Sequence, residues 1–494
     1  MSASAVETRV AAANAVTLGA SLAATGTIAL AVRLMVPRLL GPSAFGELRL
    51  VESMAEIVFI LLTFGIDIRL RSEAATNPGR VKSYLGGLVA LRIGVGVAVI
   101  AVAAISLGLF GTTAATVRLF VVAAMAQVLL VLNNSYGALE HAAGDVGWLA
   151  RTSLVFKVGW AVALVTVLLS APTGLAIVAV AVVAEAARFG WLTRRGVRHH
   201  ELRLRPRFGP AAVAVAASLP FFVNAVAHTI YGRIGVGWLA VVAGRAEVGL
   251  YAAAANLAAI ALLGIPLLSW VLVPSAARAA AESTEALRSI VSGTLRASLL
   301  IAVPVSAVLW LTSEALLTVL FGPAYAPAAA AMRVIAPTVA LTYASTVCGL
   351  ALLQRGRVWL VAGISLAGVL LMAALNALLI TSGVGAPGTG AGALAAAWAL
   401  LFTEVAVTLV LAWASRELWS EVALVRTATA LGVGAASMAV VAWVWPGTIG
   451  GAVTALGVLV TAVIALGGLD GADVEFARTV IASGRPTTAP RPAL

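Results

Sequence analysis

Of the chain's 494 residues, 62% are hydrophobic and 11% charged, with a mean hydropathy of +1.05 and a formal net charge of +12. Soluble domains are roughly 45–50% apolar and about 25% charged, so the composition excludes a soluble globule and indicates an all-α polytopic membrane protein. One cysteine, Cys348, and four histidines, His141, His199, His200 and His228, leave no disulfide framework or metal-ligand spacing, and no P-loop, nucleophile elbow or dinucleotide turn occurs.

Apolar runs of about 20 residues predict about fourteen membrane-spanning helices. The first six are Val16–Val36, Leu48–Ile68, Leu85–Phe110, Ala114–Leu139, Ser153–Leu169 and Leu175–Leu192. A longer run, Ala211–Val242, is expected to break near Pro220 or Gly232, and Leu250–Val273 follows it. Leu295–Phe321, Ala331–Leu353, Val358–Ile380 and Gly390–Ala414 complete a second set of six, and Val422–Trp445 with Gly450–Leu469 form an extra pair. Arg33 interrupts the first run and no clear cleavage site follows, so that run reads as a retained span rather than a signal peptide. The segment from Asp470, ending GRPTTAPRPAL, has the Pro/Thr/Ala composition of a disordered tail. The expected organisation is therefore a six-helix lobe with its linker over 1–208, a second six-helix lobe over 209–414, a helix pair over 415–469 and a cytoplasmic tail over 470–494.

Basic residues fix the expected orientation, because loops rich in Lys and Arg stay cytoplasmic. With both termini inside, the inner segments hold 22 Lys and Arg residues and the outer loops two, Arg38 and Arg245. The net positive charge is thus a topology signal, with attraction to anionic headgroups as a secondary effect and no nucleic-acid partner implied. The densest cluster, Arg194 to Arg207, is read as the linker between the lobes.

A repeat supports the two-lobed reading. RLLGPSAFGELRL, Arg38 to Leu50, and VVAGRAEVGLYAA, Val241 to Ala253, lie 203 residues apart, and each places a glycine after an apolar run (Gly41, Gly244) and another five residues on (Gly46, Gly249). Small-residue spacing is common in membrane helices, but a match at the same place in successive blocks points to a duplicated transporter.

RLLGPSAFGELRLVESMAEIVFILLTFGIDIRL, Arg38 to Leu70, resembles the opening signature of the polysaccharide (Wzx-type) flippases of the multidrug/oligosaccharidyl-lipid/polysaccharide exporter superfamily. Gly244 to Arg278 and LFGPAYAPAAAAMRVIAPTVAL, Leu320 to Leu341, resemble that family's second half, in the expected order. The resemblance implies two six-helix bundles forming a V around a central cavity. It also implies movement of a lipid-linked oligosaccharide, typically on a polyprenyl pyrophosphate, from the inner to the outer leaflet. An Asp-Arg pair that many relatives carry in the seventh helix is replaced by Gly235 and Val236, and the nearest charge is Arg233.

Ionisable groups deep in a membrane cost several kcal/mol on the mildest scales and normally face a wet interior or a partner. The candidates are Arg33, Glu52, Glu56, Lys157, Glu185, Arg188, Arg233 and Glu404. Glu52 and Glu56 share a helix face, and an Arg33–Glu52 or Arg33–Glu56 pair is expected across adjacent helices. Asn224, His228 and Arg233 form a polar face on the seventh helix. Arg33 and Lys157 also lie near enough to helix ends to snorkel. Glu185 and Arg188, three apart, are placed to satisfy each other, while Glu314, Glu140, Asp67, Arg92 and Arg118 read as interfacial. Arg33, Glu52, Glu56, Lys157, Asn224, His228 and Arg233 are the expected substrate-contacting set, with Arg33 and Arg233 as phosphate ligands. Two relatives in chemistry stay open at this point, a cation-coupled multidrug antiporter using the carboxylates and a lipid II-type precursor flippase. An enzyme is not expected, because outer loops of about five to ten residues leave no room for a catalytic domain.

Overall fold

A computed structural model describes residues 3–66, 70, 78–142, 146–199, 208–216, 218–265, 282–382, 386–419, 421–445 and 449–466, with scattered positions between 268 and 280. The expected Pro/Thr/Ala-rich tail, Asp67 and the second part of the Arg194 to Arg207 cluster lie outside the described residues.

Fifteen α-helices account for nearly all of the described chain, joined by short turns. Lipid offers backbone groups no hydrogen-bond partner, so each segment must close its own ladder, which only a helix does within one segment. The helices are α1 (Ala3–Thr63), α2 (Pro78–Leu109), α3 (Ala114–Ala142), α4 (Val146–Ser170), α5 (Gly174–His199), α6 (Phe208–Ala216), α7 (Leu219–Val242) and α8 (Arg245–Ala261). They continue as α9 (Thr284–Leu311), α10 (Ser313–Phe321), α11 (Ala328–Gln354), α12 (Val358–Ser382), α13 (Ala391–Ala414), α14 (Glu421–Val444) and α15 (Ile449–Ala465). Among the described residues, eight helices are long and apolar enough to cross a membrane, and shorter apolar stretches lie at Thr229–Val242, Arg426–Val441 and Val453–Ala465.

The first two expected spans are the two helical arms of α1, which meet at Gly41, where a φ of 73° and ψ of 168° end one helix before the next begins. Pro42 follows at once, at the first position of the second arm, where its missing N–H costs nothing. The long seventh run divides as expected near Pro220: α6 ends at Ala216 and α7 begins at Leu219 with Ser218 at its N-cap. Two other expected spans are also broken. Leu295–Phe321 divides at Thr312 into α9 and α10, and α9 begins a full three turns early, where Ser283 caps it by accepting from the Ala286 N–H at 3.0 Å. The eighth run turns at Leu262 after α8. Arg194 to His199, expected in a linker, are the last turns of α5.

Contacts group the chain into two compact units. One comprises Met1–Ala252, Leu320–Tyr325 and Ile380–Gly392; the other comprises Ala253–Val319, Ala326–Leu379 and Ala393–Leu494. In the first unit, α1 packs against α3, α4 and α7, and an apolar cluster of Ile66, Leu85, Leu88, Tyr84, Tyr136 and Leu192 joins α2, α3 and α5. In the second, Leu287, Val291, Val347, Cys348 and Leu352 knit α9 to α11, while Leu431, Met438, Leu459 and Val463 join the α14–α15 hairpin to α9.

The repeated glycine turns meet within the first unit. Gly41 and Gly244 have φ of 73° and 90°, the left-handed backbone that a side chain resists. The later pair serves close approach instead. A Cβ on Gly46 would stand 1.8 Å from the Arg245 carbonyl oxygen, and one on Gly249 would stand 1.9 Å from that of Pro42. Position 42 is the counterpart of 245, and 46 of 249, so the contact is reciprocal. Glu47 ties the crossing further by pairing with Arg245 at 3.1 Å and accepting from the Thr116 hydroxyl. Around it, the Tyr325 hydroxyl donates to the Pro37 carbonyl at 2.9 Å, and Glu247 accepts from the Gly388 and Gly390 N–H groups at 2.9 and 2.8 Å.

Candidate functional site

Charged side chains gather on α1, α4, α5 and α7 of the first unit. Arg49 stands one turn before Glu52 on the second arm of α1 and donates to its carboxylate at 2.7 Å. One further turn along, Glu56 forms an ion pair with Arg233 of α7, both about 30% exposed. The expected Arg33–Glu52 and Arg33–Glu56 pairs are therefore replaced. Glu52 finds Arg49 at the i−3 position of its own helix, and packing of α7 on α1 delivers Arg233 to Glu56. Arg33 is exposed and lies within electrostatic reach of Glu56, Arg233 and Lys157.

Lys157 leads to a second set. Its ammonium sits 3.9 Å over the Trp160 ring on α4 and within reach of Glu185 and Arg188 on α5. Glu185 and Arg188 approach to 3.8 Å, and the fully buried Asn133 of α3 donates to the Glu185 carboxylate at 2.7 Å and to its backbone carbonyl at 3.0 Å. Arg33, Arg49, Lys157, Arg188 and Arg233 thus oppose three carboxylates, Glu52, Glu56 and Glu185, which leaves the set cationic. Buried polar atoms at Arg49 Nε, Asn133 Oδ1 and Arg188 Nε have no hydrogen-bond partner among the described residues, as expected for groups that hydrogen-bond to water or ligand.

Asn224 and His228 lie on α7 nine and five residues before Arg233, but their side chains fall outside the described residues. Glu404, in the second unit, is buried and accepts from the Thr342 hydroxyl at 3.5 Å. Two of the groups expected at the interface are buried within the protein. Arg92 is completely buried, donating to the Thr63 carbonyl at 3.0 Å, the Val131 carbonyl at 3.3 Å and the Ser135 hydroxyl, so it bridges α1, α2 and α3 rather than reaching headgroups. Glu140 is 2% exposed because Arg195 covers and neutralises it at 3.1 Å. Arg118 is exposed, and Glu314 pairs loosely with Arg333 at 3.7 Å. Arg49 and Asn133 are the members of the charged set that sequence reasoning passed over. Arg49 carried a signal in its i+3 and i+7 spacing to Glu52 and Glu56, whereas an asparagine in an apolar run carried none. Among the described residues, no three His, Cys, Asp or Glu side chains converge as metal ligands.

Comparison with known proteins bears on this architecture. In the solved structures, the lipid II flippase MurJ in an inward closed conformation aligns at TM-score 0.71 over 94% of this chain and 100% of its own, with 9% identity. Multidrug resistance MATE family transporters of the MOP superfamily align at 0.64 in an inward-facing conformation (14% identity, 80% of this chain, 95% of theirs) and at 0.57 in an outward-facing one (12%, 82% and 94%). Comparison with curated proteins gives no match. At such identities the structural likeness establishes the fold, a multi-pass helical membrane fold shared with MOP-superfamily transporters. A family model described as polysaccharide biosynthesis protein matches residues 35–330, more than half of the chain, a span that holds both glycine turns together with Arg49, Glu52, Glu56 and Arg233. The chain belongs to the polysaccharide biosynthesis protein family.

Proposed function

We propose that the protein is a flippase that carries a lipid-linked oligosaccharide or polysaccharide precursor, on a polyprenyl pyrophosphate, across the cytoplasmic membrane by alternating access. The observation that carries this reading is the cationic set on spanning helices in a chain of this family. A pyrophosphate and its sugars lose their hydration in hydrocarbon, so translocation needs a wet, positive path for the headgroup while the lipid tail stays in the bilayer. Arginine suits that path because it stays charged and grips phosphate oxygens through two parallel N–H donors.

Arg33 and Arg233 are the proposed phosphate ligands, with Arg49, Lys157 and Arg188 adding to the field. Glu56 then has a defined role, since it neutralises Arg233 in the unloaded site and yields it when the pyrophosphate arrives, an exchange of one anion for another. Glu52, Asn224 and His228 contribute polar contacts to the sugars or to water. The two six-helix lobes, 1–208 and 209–414, rock around the substrate, and 415–469 lies outside that movement. Both termini are cytoplasmic, the glycan arrives from glycosyltransferases at the inner face, and a polymerase takes it up outside.

The test is reconstitution into liposomes with a fluorescent lipid-linked oligosaccharide whose outward exposure is read by an added glycosidase. Arg33→Ala and Arg233→Ala each reduce transport strongly, and the Lys variants restore it in part, since lysine keeps the charge and loses the fork. Wild-type transport by the double Ala variant at equal abundance overturns the assignment of these arginines. Transport of hydrophobic cations without any glycan transport overturns the flippase reading in favour of an antiporter.

A further inference from the structure

A second basic site follows the charged set along α5, beginning one turn beyond Arg188 at the open end of the α4–α5 hairpin, remote from its 171–173 turn. Trp148 stands in the first turn of α4, and Trp191, Arg194, Arg195, Arg198 and His199 occupy the last turns of α5; together these side chains line an open cavity of about 300 Å³. Trp191, Arg195 and Arg198 recur at i, i+4 and i+7 and so share one helix face. Arg195 is fixed from two sides: its Nε donates to the buried Glu140 carboxylate at 3.1 Å, and its guanidinium lies 3.9 Å over the Trp148 ring. Glu140 uses up one positive charge, whereas Arg194 and Arg198 are exposed, with no carboxylate partner among the described residues.

The surroundings define the ligand further. Trp148, Val155 and Val162 repeat every seven residues along α4, and the two valines are 68% and 62% exposed. An apolar strip therefore leaves the basic cavity and runs along the span. Tryptophan at a helix end marks the headgroup level of a bilayer, and basic pockets between spanning helices on the cytoplasmic side take anionic lipid headgroups. The cavity is open on one side and has room for a phosphodiester headgroup. The geometry points to a structural binding site for one anionic glycerophospholipid of the inner leaflet, its phosphate held by Arg194, Arg198 and the fixed Arg195, and an acyl chain laid along Val155 and Val162. Placement in the inner leaflet rests on the orientation proposed above; the site itself does not.

Native mass spectrometry of the full chain, purified in detergent and titrated with phosphatidylglycerol or phosphatidylcholine, tests this without any transport measurement. The expected result is one tightly retained phosphatidylglycerol, at least tenfold weaker retention in Arg194→Ala/Arg198→Ala, and wild-type retention in Arg233→Ala. Because both replaced arginines are exposed, the double variant should remain monodisperse; Arg198→Gln alone, expected to weaken retention several-fold, serves if it does not. Equal retention of the two lipids, or no change in either variant, overturns the proposal. Stoichiometric displacement of the phospholipid by a polyprenyl pyrophosphate also overturns it and assigns the cavity to the transported substrate. Loss of glycan transport in Arg233→Ala with lipid retention intact separates this site from the translocation path.

Discussion

At the scale of single residues, the Glu56–Arg233 pair governs both stability and the proposed exchange. Each partner is about 30% exposed, so the pair lies between exposed pairs worth at most ~1 kcal/mol and buried ones whose disruption costs about 3–5 kcal/mol. Arg233→Ala and Glu56→Ala are each expected to destabilise by on the order of 2 kcal/mol, and the double variant by less than the sum, measured as thermal midpoints in detergent. An additive double variant would show that the two charges do not interact. Little of this pairing was legible in the sequence. The charges themselves were, because an ionisable side chain in an apolar run stands out. Their partners were not, since Glu56 meets a residue 177 positions away and that choice depends on how α7 lies on α1. Arg92 shows the same gap from the other side. Its place a few residues into a predicted span suggested a headgroup, but α2 begins at Pro78, a full two turns earlier, which carries Arg92 to where Thr63, Val131 and Ser135 surround it.

At the scale of elements, the crossing of the two glycine turns is the point least tolerant of change. Gly46→Ala or Gly249→Ala forces two backbones apart, which by analogy with overpacked cores costs about 1–3 kcal/mol or more. At Gly237 of α7 an added methyl would meet no neighbour within 4 Å, so Gly237→Ala should be neutral or stabilise by roughly 0.5–1 kcal/mol through helix propensity. Thermal midpoints by fluorescence-detected size exclusion distinguish these outcomes; a stable Gly46→Ala/Gly249→Ala variant would refute the close crossing. Helix positions were largely readable from the chain, because a 20-residue apolar run has few alternatives in a membrane. Breaks were read only where proline announced them. Pro220 did so, and Pro266, which cannot donate to the carbonyl of Leu262 four residues back, marks the turn there, while the division at Thr312 carries no proline.

At the scale of the whole molecule, the charge asymmetry predicts topology. A reporter active only in the cytoplasm should be active when fused at position 203 and silent when fused at Pro387; the reverse pattern would invert the orientation and move the phospholipid site to the outer leaflet. The reciprocal glycine contact has a consequence for ancestry. A contact in which position 42 meets 249 and position 46 meets 245 is the isologous kind by which identical subunits join across a twofold axis, here written into one polypeptide. The charges do not share that symmetry. Offset by 203 residues, Arg33, Arg49, Glu52 and Glu56 correspond to Val236, Ala252, Ala255 and Ala259, and Arg233 corresponds to Leu30. The repeat thus keeps its joint in both copies and holds each of these charges in only one of them.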